Sequence, residues 1–201
     1  MTLRVGILVF DDFDLIDAGG PYEVFLTASR LRERAGMEAP FEVVMMSPGG
    51  KDVTAFGGMT LTQLVDTNTV SDLDVLVVPG TIDLGVALSN EPLLAAVRHL
   101  AAESVLPTSV CTGSFLFARA GALQGLPATS HWEDVDGLAE ENVSESVAGV
   151  RWVDAGDVIT SGGLTSGIHM ALHVVSRLVD EELATATARQ LDMDWSPRPA
   201  R

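Results

Sequence analysis

The single cysteine of the chain, Cys111, lies in the segment Ser109-Val110-Cys111-Thr112-Gly113, where one apolar run passes directly into another. Small residues two positions before and two positions after the cysteine match the spacing of a nucleophile elbow, a strained strand-to-helix turn. The helix that follows would direct unpaired N–H groups at the sulfur, which predicts a lowered thiol pKa and a reactive thiolate. A lone cysteine is more commonly a small buried core residue, and that alternative stays open.

Nucleophilic chemistry also needs N–H donors where negative charge develops, and the backbone N–H after the nucleophile is the usual first donor. In this chain that group belongs to Thr112. A second donor, from Gly80 or Thr81, is predicted at the turn that follows Pro79 at the end of another apolar run. A Pro-Gly pair after a strand is equally consistent with an ordinary turn.

A carboxylate, Asp17, stands in a run of small and apolar residues, 15–21, apart from the acidic group Asp11, Asp12 and Asp14. Beside the thiol, loss of solvent would raise the pKa of Asp17 and let it act as a proton donor and acceptor. The alternative role, equally weighted, is the N-cap of a helix.

His131 and Trp132 follow a short strand predicted over residues 128–130, and we expect them to border the same cleft as the cysteine. His131 could orient the thiolate or complete a hydrogen bond in the core. Both residues are therefore candidates for the substrate pocket.

His169 and His173 are four residues apart on a predicted helix, a spacing that can hold a metal ion. The residues between them are Met170, Ala171 and Leu172, so the glutamate of an HExxH zinc motif is lacking. The sequence also contains no GxGxxG or P-loop pattern. We expect neither a metal nor an organic cofactor.

Apolar runs that alternate with amphipathic segments must position these side chains. Strands are predicted over residues 4–10, 41–46, 74–78 and 106–110, helices over 21–35, 91–102, 114–122, 164–179 and 180–191, and hairpins over 54–62 and 150–161. This alternation predicts an α/β fold of the flavodoxin-like sandwich type, with a mostly parallel central sheet, helices on both faces and short hairpins. Ligands bind outside the carboxyl ends of such strands, so loops 11–21, 79–84 and 111–114 are expected to share one edge.

Composition limits the class of protein. The 201 residues, 47% of them hydrophobic, predict one domain over residues 1–195 and a tail over 196–201. The formal charge of −16 opposes binding to nucleic acid and to anionic membranes. The longest uncharged stretch, residues 158–176, is interrupted by Gly, Ser and Thr, and the first residues lack the pattern of a secretory signal. A cytoplasmic protein with no membrane span is expected, and one cysteine excludes an intrachain disulfide.

Several segments along almost the whole chain match one known pattern: Val5-Gly6-Ile7-Leu8-Val9-Phe10, Leu15-Ile16-Asp17, Gly20-Pro21, Val78-Pro79-Gly80, Ser109-Val110-Cys111-Thr112-Gly113-Ser114, Ala120-Gly121-Ala122-Leu123, Ala128-Thr129-Ser130-His131-Trp132, Thr160-Ser161-Gly162-Gly163 and Gly167-Ile168. Together they resemble the ThiJ/PfpI superfamily, which is class I glutamine-amidotransferase-like. The resemblance is nearest to its isocyanide hydratase branch and to the amino-terminal domains of AraC-type regulators. It also implies a homodimer, which is common in this superfamily.

In hydratases of this branch, the elbow cysteine attacks the isocyanide carbon, an aspartate manages a proton and water, and an N-substituted formamide is released. The resemblance therefore implies a cofactor-free hydratase of an isocyanide or a similar small electrophile, with Cys111 as nucleophile and Asp17 as acid and base. Thr112 would help to hold the oxygen-bearing intermediate. Superfamily peptidases carry His where this chain has Thr112, and the branch that acts on glyoxals usually has Glu in place of Asp17, so both activities are disfavoured.

Two other functions remain open: a non-catalytic stress or regulatory module, and a sensor in which the thiol is oxidised. A regulator would need a helix-turn-helix unit, which the six residues beyond Trp195 are too short to form. Two positions also depart from the superfamily pattern. Thr81 replaces a usual second glycine, so the loop facing the cysteine is expected to be narrower or differently bent, and His169 replaces a usual Asp near the start of a helix.

Overall fold

The computed structural model describes residues 2–199. Its strands form one central sheet and two small two-stranded ribbons. In chain order they are β1 (Leu3–Leu8), β2 (Phe41–Ser47), β3 (Val53–Thr54), β4 (Thr60–Leu61), β5 (Val65–Asp66), β6 (Val75–Val78), β7 (Leu106–Val110), β8 (Pro127–Ala128), β9 (Glu145–Ser146), β10 (Trp152–Asp154) and β11 (Ile159–Ser161). Every residue of β6 and of β7 is buried, as expected for central strands covered on both faces.

Helices connect and cover these strands. They are α1 (Leu15–Arg34), α2 (Leu84–Leu88), α3 (Glu91–Glu103), α4 (Gly113–Ala120), α5 (Val135–Leu138), α6 (Thr165–Leu178) and α7 (Glu181–Gln190). Helix α1 packs against α6 and α7, whereas α3 packs against α4 and α2. The two groups bury a core rich in Val, Leu and Phe against the sheet.

The order of strands across the main sheet is β10-β11-β7-β6-β1-β2-β5 within the described residues. All neighbours in this sheet pair in parallel except β10 and β11, which form an antiparallel hairpin. The prediction of a mostly parallel α/β sandwich is confirmed. Val78 pairs with Ser109 and Ser161 pairs with Val110, so the carboxyl ends of β6, β7 and β11 meet at one edge.

Helix α1 corrects one sequence expectation. The predicted start at Pro21 is wrong, because the Asp14 side chain caps the helix by accepting a hydrogen bond from the Ile16 N–H at 3.4 Å. Pro21 therefore lies inside the helix, where it removes the N–H that would otherwise bond to the Asp17 carbonyl. The earlier start places Asp17 in the first helical turn.

Short elements account for the other differences. Both predicted hairpins are present, as the pairs β3–β4 and β10–β11. The strand predicted over residues 128–130 is the shorter β8, which pairs with β9 in a separate ribbon. Helix α2 lies in a segment for which the sequence predicts neither helix nor strand. It begins where the Asp83 side chain accepts a hydrogen bond from the Val86 N–H.

The predicted tail, 196–201, is described as far as residue 199. The Pro199 carbonyl accepts a hydrogen bond from the Arg151 N–H at 2.6 Å, and the indole of Trp195 donates to the His169 carbonyl at 3.3 Å. Residues 1, 200 and 201 lie outside the described part. Within residues 2–199, no helix is both long enough and apolar enough to cross a membrane.

Two adjacent glycines in α1 provide a test of helix packing. A Cβ at Gly20 would lie 2.7 Å from Cγ1 of Ile168 in α6, whereas a Cβ at Gly19 would meet nothing within 4 Å. We expect Gly19→Ala to raise the free energy of unfolding by about 0.5–1 kcal/mol, because alanine favours helix. Gly20→Ala should be roughly 1–3 kcal/mol less stable than Gly19→Ala in urea denaturation. Equal stability of the two variants would contradict this packing.

Candidate active site

Cys111 occupies the sharp turn between β7 and α4. Its φ of 57° is left-handed, a conformation that a non-glycine residue adopts only at a cost. Its N–H is shared between the carbonyls of Ser161 and Gly162, at 3.1 and 3.3 Å, and its carbonyl accepts from the Ser114 and Ser130 hydroxyls, each at 3.1 Å. These contacts hold the cysteine in the strained conformation of a nucleophile elbow.

Two glycines permit the close approach of the elbow to the loop after β6. A Cβ at Gly113 would lie 2.4 Å from the carbonyl oxygen of Val78. A Cβ at Gly80 would lie 2.8 Å from Cβ of Cys111 and 2.7 Å from Oγ1 of Thr112. No side chain fits at either position, so the two glycines bring the loop directly against the cysteine.

Asp17 lies beside the cysteine and is fully buried. Its Oδ2 accepts the Gly80 N–H and its Oδ1 accepts the Leu164 N–H, both at 3.0 Å, and the carboxylate also shares a hydrogen bond with the Cys111 side chain. The N-cap role considered for Asp17 is not observed, because Asp14 caps the helix. Asp17 is instead fixed from both sides by backbone N–H groups.

Burial, and then the charge of Asp14, raise the pKa of Asp17 to about 7, although the hydrogen bonds from Gly80, Leu164 and Cys111 oppose the shift. This agrees with the raised pKa expected from the sequence. A carboxyl group with this pKa can both accept and return a proton near neutral pH.

The pKa of the Cys111 thiol differs from the value predicted from the sequence. Burial, and then the negative charge of Asp17, raise the pKa of Cys111 above its ordinary value, although the Thr112 N–H opposes the shift. The lowered pKa predicted from the start of α4 is wrong, because loss of solvent and a neighbouring carboxylate outweigh the helix terminus. Cys111 therefore keeps its proton at neutral pH, and a reaction at the sulfur would need a base to remove it.

The loop after β6 is clamped to the elbow by a reciprocal pair of hydrogen bonds. The Thr112 hydroxyl accepts the Thr81 N–H and donates to the Thr81 carbonyl, both at 2.9 Å. The Thr81 hydroxyl donates to the Asp12 carbonyl at 2.8 Å. Threonine in place of the usual glycine at this position therefore anchors the loop on its other side.

This clamp corrects the predicted second oxyanion donor. The Gly80 N–H bonds to Asp17, and the Thr81 N–H bonds to Thr112. Both groups are already engaged, whereas the Thr112 N–H is directed to the sulfur. Gly80 and Thr81 thus shape the site and hold the carboxylate.

The structure separates the two predicted pocket residues, His131 and Trp132. His131 lines the cleft beside Cys111, and its Nδ1 accepts the Glu133 N–H at 3.3 Å. Trp132 is 63% exposed, is not part of the cleft lining and contacts the His131 ring from outside, with ring centroids 5.7 Å apart. The two residues lie in a tight turn, in which the Asp134 N–H bonds to the His131 carbonyl at 3.0 Å, and their side chains have different surroundings.

The space above the sulfur, which we call the cleft, has a volume of about 360 Å³. Its lining comprises the aliphatic residues Ile82, Leu84 and Leu164, the acidic residues Asp14, Glu133 and Asp134, and the polar residues Thr81, Cys111, Thr112 and His131. This volume lies in the range of small-molecule sites.

Leu164 is a site residue that the sequence reasoning missed. It precedes α6 with φ 56° and ψ −112°, donates its N–H to Asp17 and is 41% exposed on the cleft. The available signal was the Gly162-Gly163 pair directly after β11. A Cβ at Gly163 would lie 2.2 Å from Cδ2 of His131, which shows how tightly this third loop closes on the site.

The other two histidines contact different partners. Nδ1 and Nε2 of His169 lie 2.8 and 3.0 Å from the Arg151 guanidinium, and burial followed by this charge lowers the pKa of His169 to about 4. Nε2 of His173 lies 2.8 Å from Oδ2 of Asp154. Within residues 2–199, no three His, Cys, Asp or Glu side chains group as metal ligands would.

The structure is that of an α/β protein with a cysteine at a nucleophile elbow. The cysteine lies at a strained strand-to-helix turn of a mostly parallel sheet, and a buried carboxylate lies beside it. The sequence pattern of the DJ-1/PfpI family matches residues 3–177. The chain belongs to this family, as the resemblance to ThiJ/PfpI proteins predicts.

Three relatives illustrate the range of the family. The isonitrile hydratase of Pseudomonas putida is 34% identical over 202 residues, which cover 99% of this chain and 81% of that protein. The HTH-type transcriptional regulator GbdR of Pseudomonas aeruginosa is 27% identical over 90% of this chain but only 48% of its own length. The crystal structure of a ThiJ/PfpI family protein from Pseudomonas syringae is 27% identical, with a TM-score of 0.85 over 98% of this chain and 77% of that one.

The buried carboxyl group makes stability depend on pH. Because folding raises the pKa of Asp17 from 3.8 to about 7, the folded state binds this proton more tightly. The resulting stability is complete below the unfolded pKa and is lost as pH rises toward 7. The loss corresponds to about 4 kcal/mol.

We expect Asp17→Asn to remove this part of the pH dependence. The free energy of unfolding, measured in urea from pH 4 to pH 8, should therefore fall more steeply for the parent protein than for the variant. Groups other than Asp17 titrate in both proteins and cancel in the difference. Parallel pH profiles would contradict the raised pKa.

Proposed function

We propose that this protein is a cofactor-free, cysteine-dependent hydratase that converts an isocyanide, also called an isonitrile, into an N-substituted formamide. The observation that carries the proposal is the buried Asp17 carboxylate hydrogen-bonded to the Cys111 thiol beneath a cleft of about 360 Å³. The 34% identity to the isonitrile hydratase of Pseudomonas putida supports the choice of substrate.

In the first stage, Cys111 adds to the terminal carbon of the isocyanide. Asp17 removes the thiol proton as the Sγ–C bond forms, and then delivers that proton to the same carbon. The product is a thioimidate, with a C–H bond and a C=N double bond. A base of pKa about 7 suits this task, because about half of it is ionised at neutral pH and it still returns the proton readily.

In the second stage, water adds to the thioimidate carbon. Asp17 takes a proton from the water and passes it to the nitrogen, which leaves a hydroxyl and an N–H on the intermediate. The hydroxyl proton then moves by way of Asp17 to the sulfur as the C–S bond breaks and the C=O bond forms. One water is consumed, the thiol is regenerated and the formamide leaves.

Thr112 contributes two groups to this sequence. Its backbone N–H, which already bonds to the sulfur, would stabilise charge on the sulfur as it leaves and on the neighbouring oxygen. Its hydroxyl holds the loop that presents the Gly80 N–H to Asp17. His131 lines the same cleft and would border the bound substrate.

Substitution of the two central residues tests the proposed chemistry. We expect Cys111→Ala to abolish formamide formation, because the nucleophile is removed, and Asp17→Asn to lower kcat by about 10²- to 10⁴-fold. Asp157→Asn, a change of an exposed carboxylate in the β10–β11 turn, should leave kcat unchanged. Formamide production is measured with a small alkyl isocyanide. Absence of turnover by the parent protein would overturn the proposal.

The pH profile identifies the base. Because Asp17 must be ionised to take the thiol proton, kcat/KM should rise with pH along a limb whose midpoint is about 7. The limb should be missing from the residual activity of Asp17→Asn. Persistence of the same limb in that variant would assign the base to another group.

The alternative functions receive less support from the site. The raised pKa of Cys111 keeps the thiolate fraction small, which counts against rapid oxidation by peroxide. The regulator relative favours a regulatory module. However, the 27% identity covers only 48% of that regulator, so the regulatory function belongs to a longer protein than the matched part. The homodimer implied by the resemblance stays a prediction that sedimentation would test.

A further inference from the structure

The charged residues of the cleft are all acidic. Asp14, Glu133 and Asp134 line it, and no lysine or arginine belongs to its described lining. Oε2 of Glu133 and Oδ2 of Asp134 lie 3.6 and 3.5 Å from Nδ1 of His131. The Glu133 N–H also lies 3.3 Å from that nitrogen.

The charges of two of these residues, Asp14 and Asp134, act on the Cys111 sulfur. After burial and Asp17, the charges of Asp14 and Asp134 also raise the pKa of the Cys111 thiol. A substrate that brought another negative charge into the cleft would meet the same repulsion. A positive charge near the outer carboxylates would be attracted.

The cleft also offers aliphatic surface. Ile82 is 60% exposed and Leu164 is 41% exposed, and Leu84 is half-buried. An apolar part of a ligand that packs against these exposed aliphatic side chains removes apolar surface from water, which favours binding. Glu133 and Asp134 retain 64% and 41% of their side-chain exposure, which places their carboxylates within reach of a solvated group at the cleft mouth.

From this arrangement we infer that the substrate is an isocyanide whose N-substituent is apolar near the isocyano group and cationic at its far end. Ile82 and Leu164 contact the apolar part, and Asp14, Glu133 and Asp134 attract the cation and repel carboxylate-bearing isocyanides. The inference rests on the proposed hydratase function.

Three isocyanides on the same linear alkyl chain test it: one unsubstituted, one ending in trimethylammonium and one ending in carboxylate. We expect kcat/KM, measured at pH 8 and low ionic strength, to be highest for the cation and lowest for the anion. The ratio of cation to anion should be about tenfold or more and should fall toward one as salt is added. Equal kcat/KM for all three would overturn the inference and leave the hydratase function standing.

Paired variants locate the source of the selectivity. The double variant Glu133→Gln, Asp134→Asn should lower the cation-to-anion ratio at least about threefold, because two of the three outer charges are removed. Glu140→Gln removes an exposed carboxylate nearby in sequence that does not line the cleft, and should keep the parent ratio. An equal loss of ratio in both would assign the effect to net charge and overturn the assignment to the cleft.

A measurement that needs no turnover separates this inference from the proposed function. Cys111 is treated with a cationic and with an anionic alkyl methanethiosulfonate of similar size, and the rate of disulfide formation is followed. The cationic reagent should react about tenfold faster, and less so in the double variant. This selectivity without any isocyanide turnover would overturn the hydratase function and the substrate class but support cleft charge selection, whereas equal rates would overturn charge selection itself.

Discussion

The site depends on one contact, the hydrogen bond between the buried Asp17 carboxyl group and the Cys111 thiol at the base of the cleft. Either group alone would be an ordinary buried residue. Together they hold a proton that each can release only to the other or to a bound molecule. The surrounding loops serve this pair, because the Gly80 and Leu164 N–H groups fix the carboxylate and the elbow fixes the sulfur.

The sequence predicts the elements that carry these groups because each leaves a local signal. Buried strands appear as continuous Val and Leu runs, and the elbow appears as small residues around Cys111. The start of α1 was misplaced because Pro21 is a strong local signal, whereas the Asp14 cap acts only once the helix has formed. Two-residue strands such as β5 and β9 are too short to show a periodicity.

The site was predicted less completely than the fold, because its properties arise from contacts distant in sequence. Local patterns single out Cys111, Asp17 and Thr112, and the structure brings these three residues together. The thiol pKa was predicted with the wrong sign, since the helix terminus is local whereas burial and Asp17 come from the packed fold. Leu164 was missed because β11 was recognised as part of a hairpin but not as the parallel neighbour of β7.

The two N–H groups that fix Asp17 come from residues 63 and 147 positions further along the chain. During synthesis, Asp17 therefore has no carboxylate cradle until β11 and the loop after it emerge, late in the sequence. Until then the thiol lacks the complete burial and the fixed Asp17 charge that raise its pKa in the folded protein. Completion of the fold buries the sulfur and, in the same step, brings the Asp17 carboxyl group beside it.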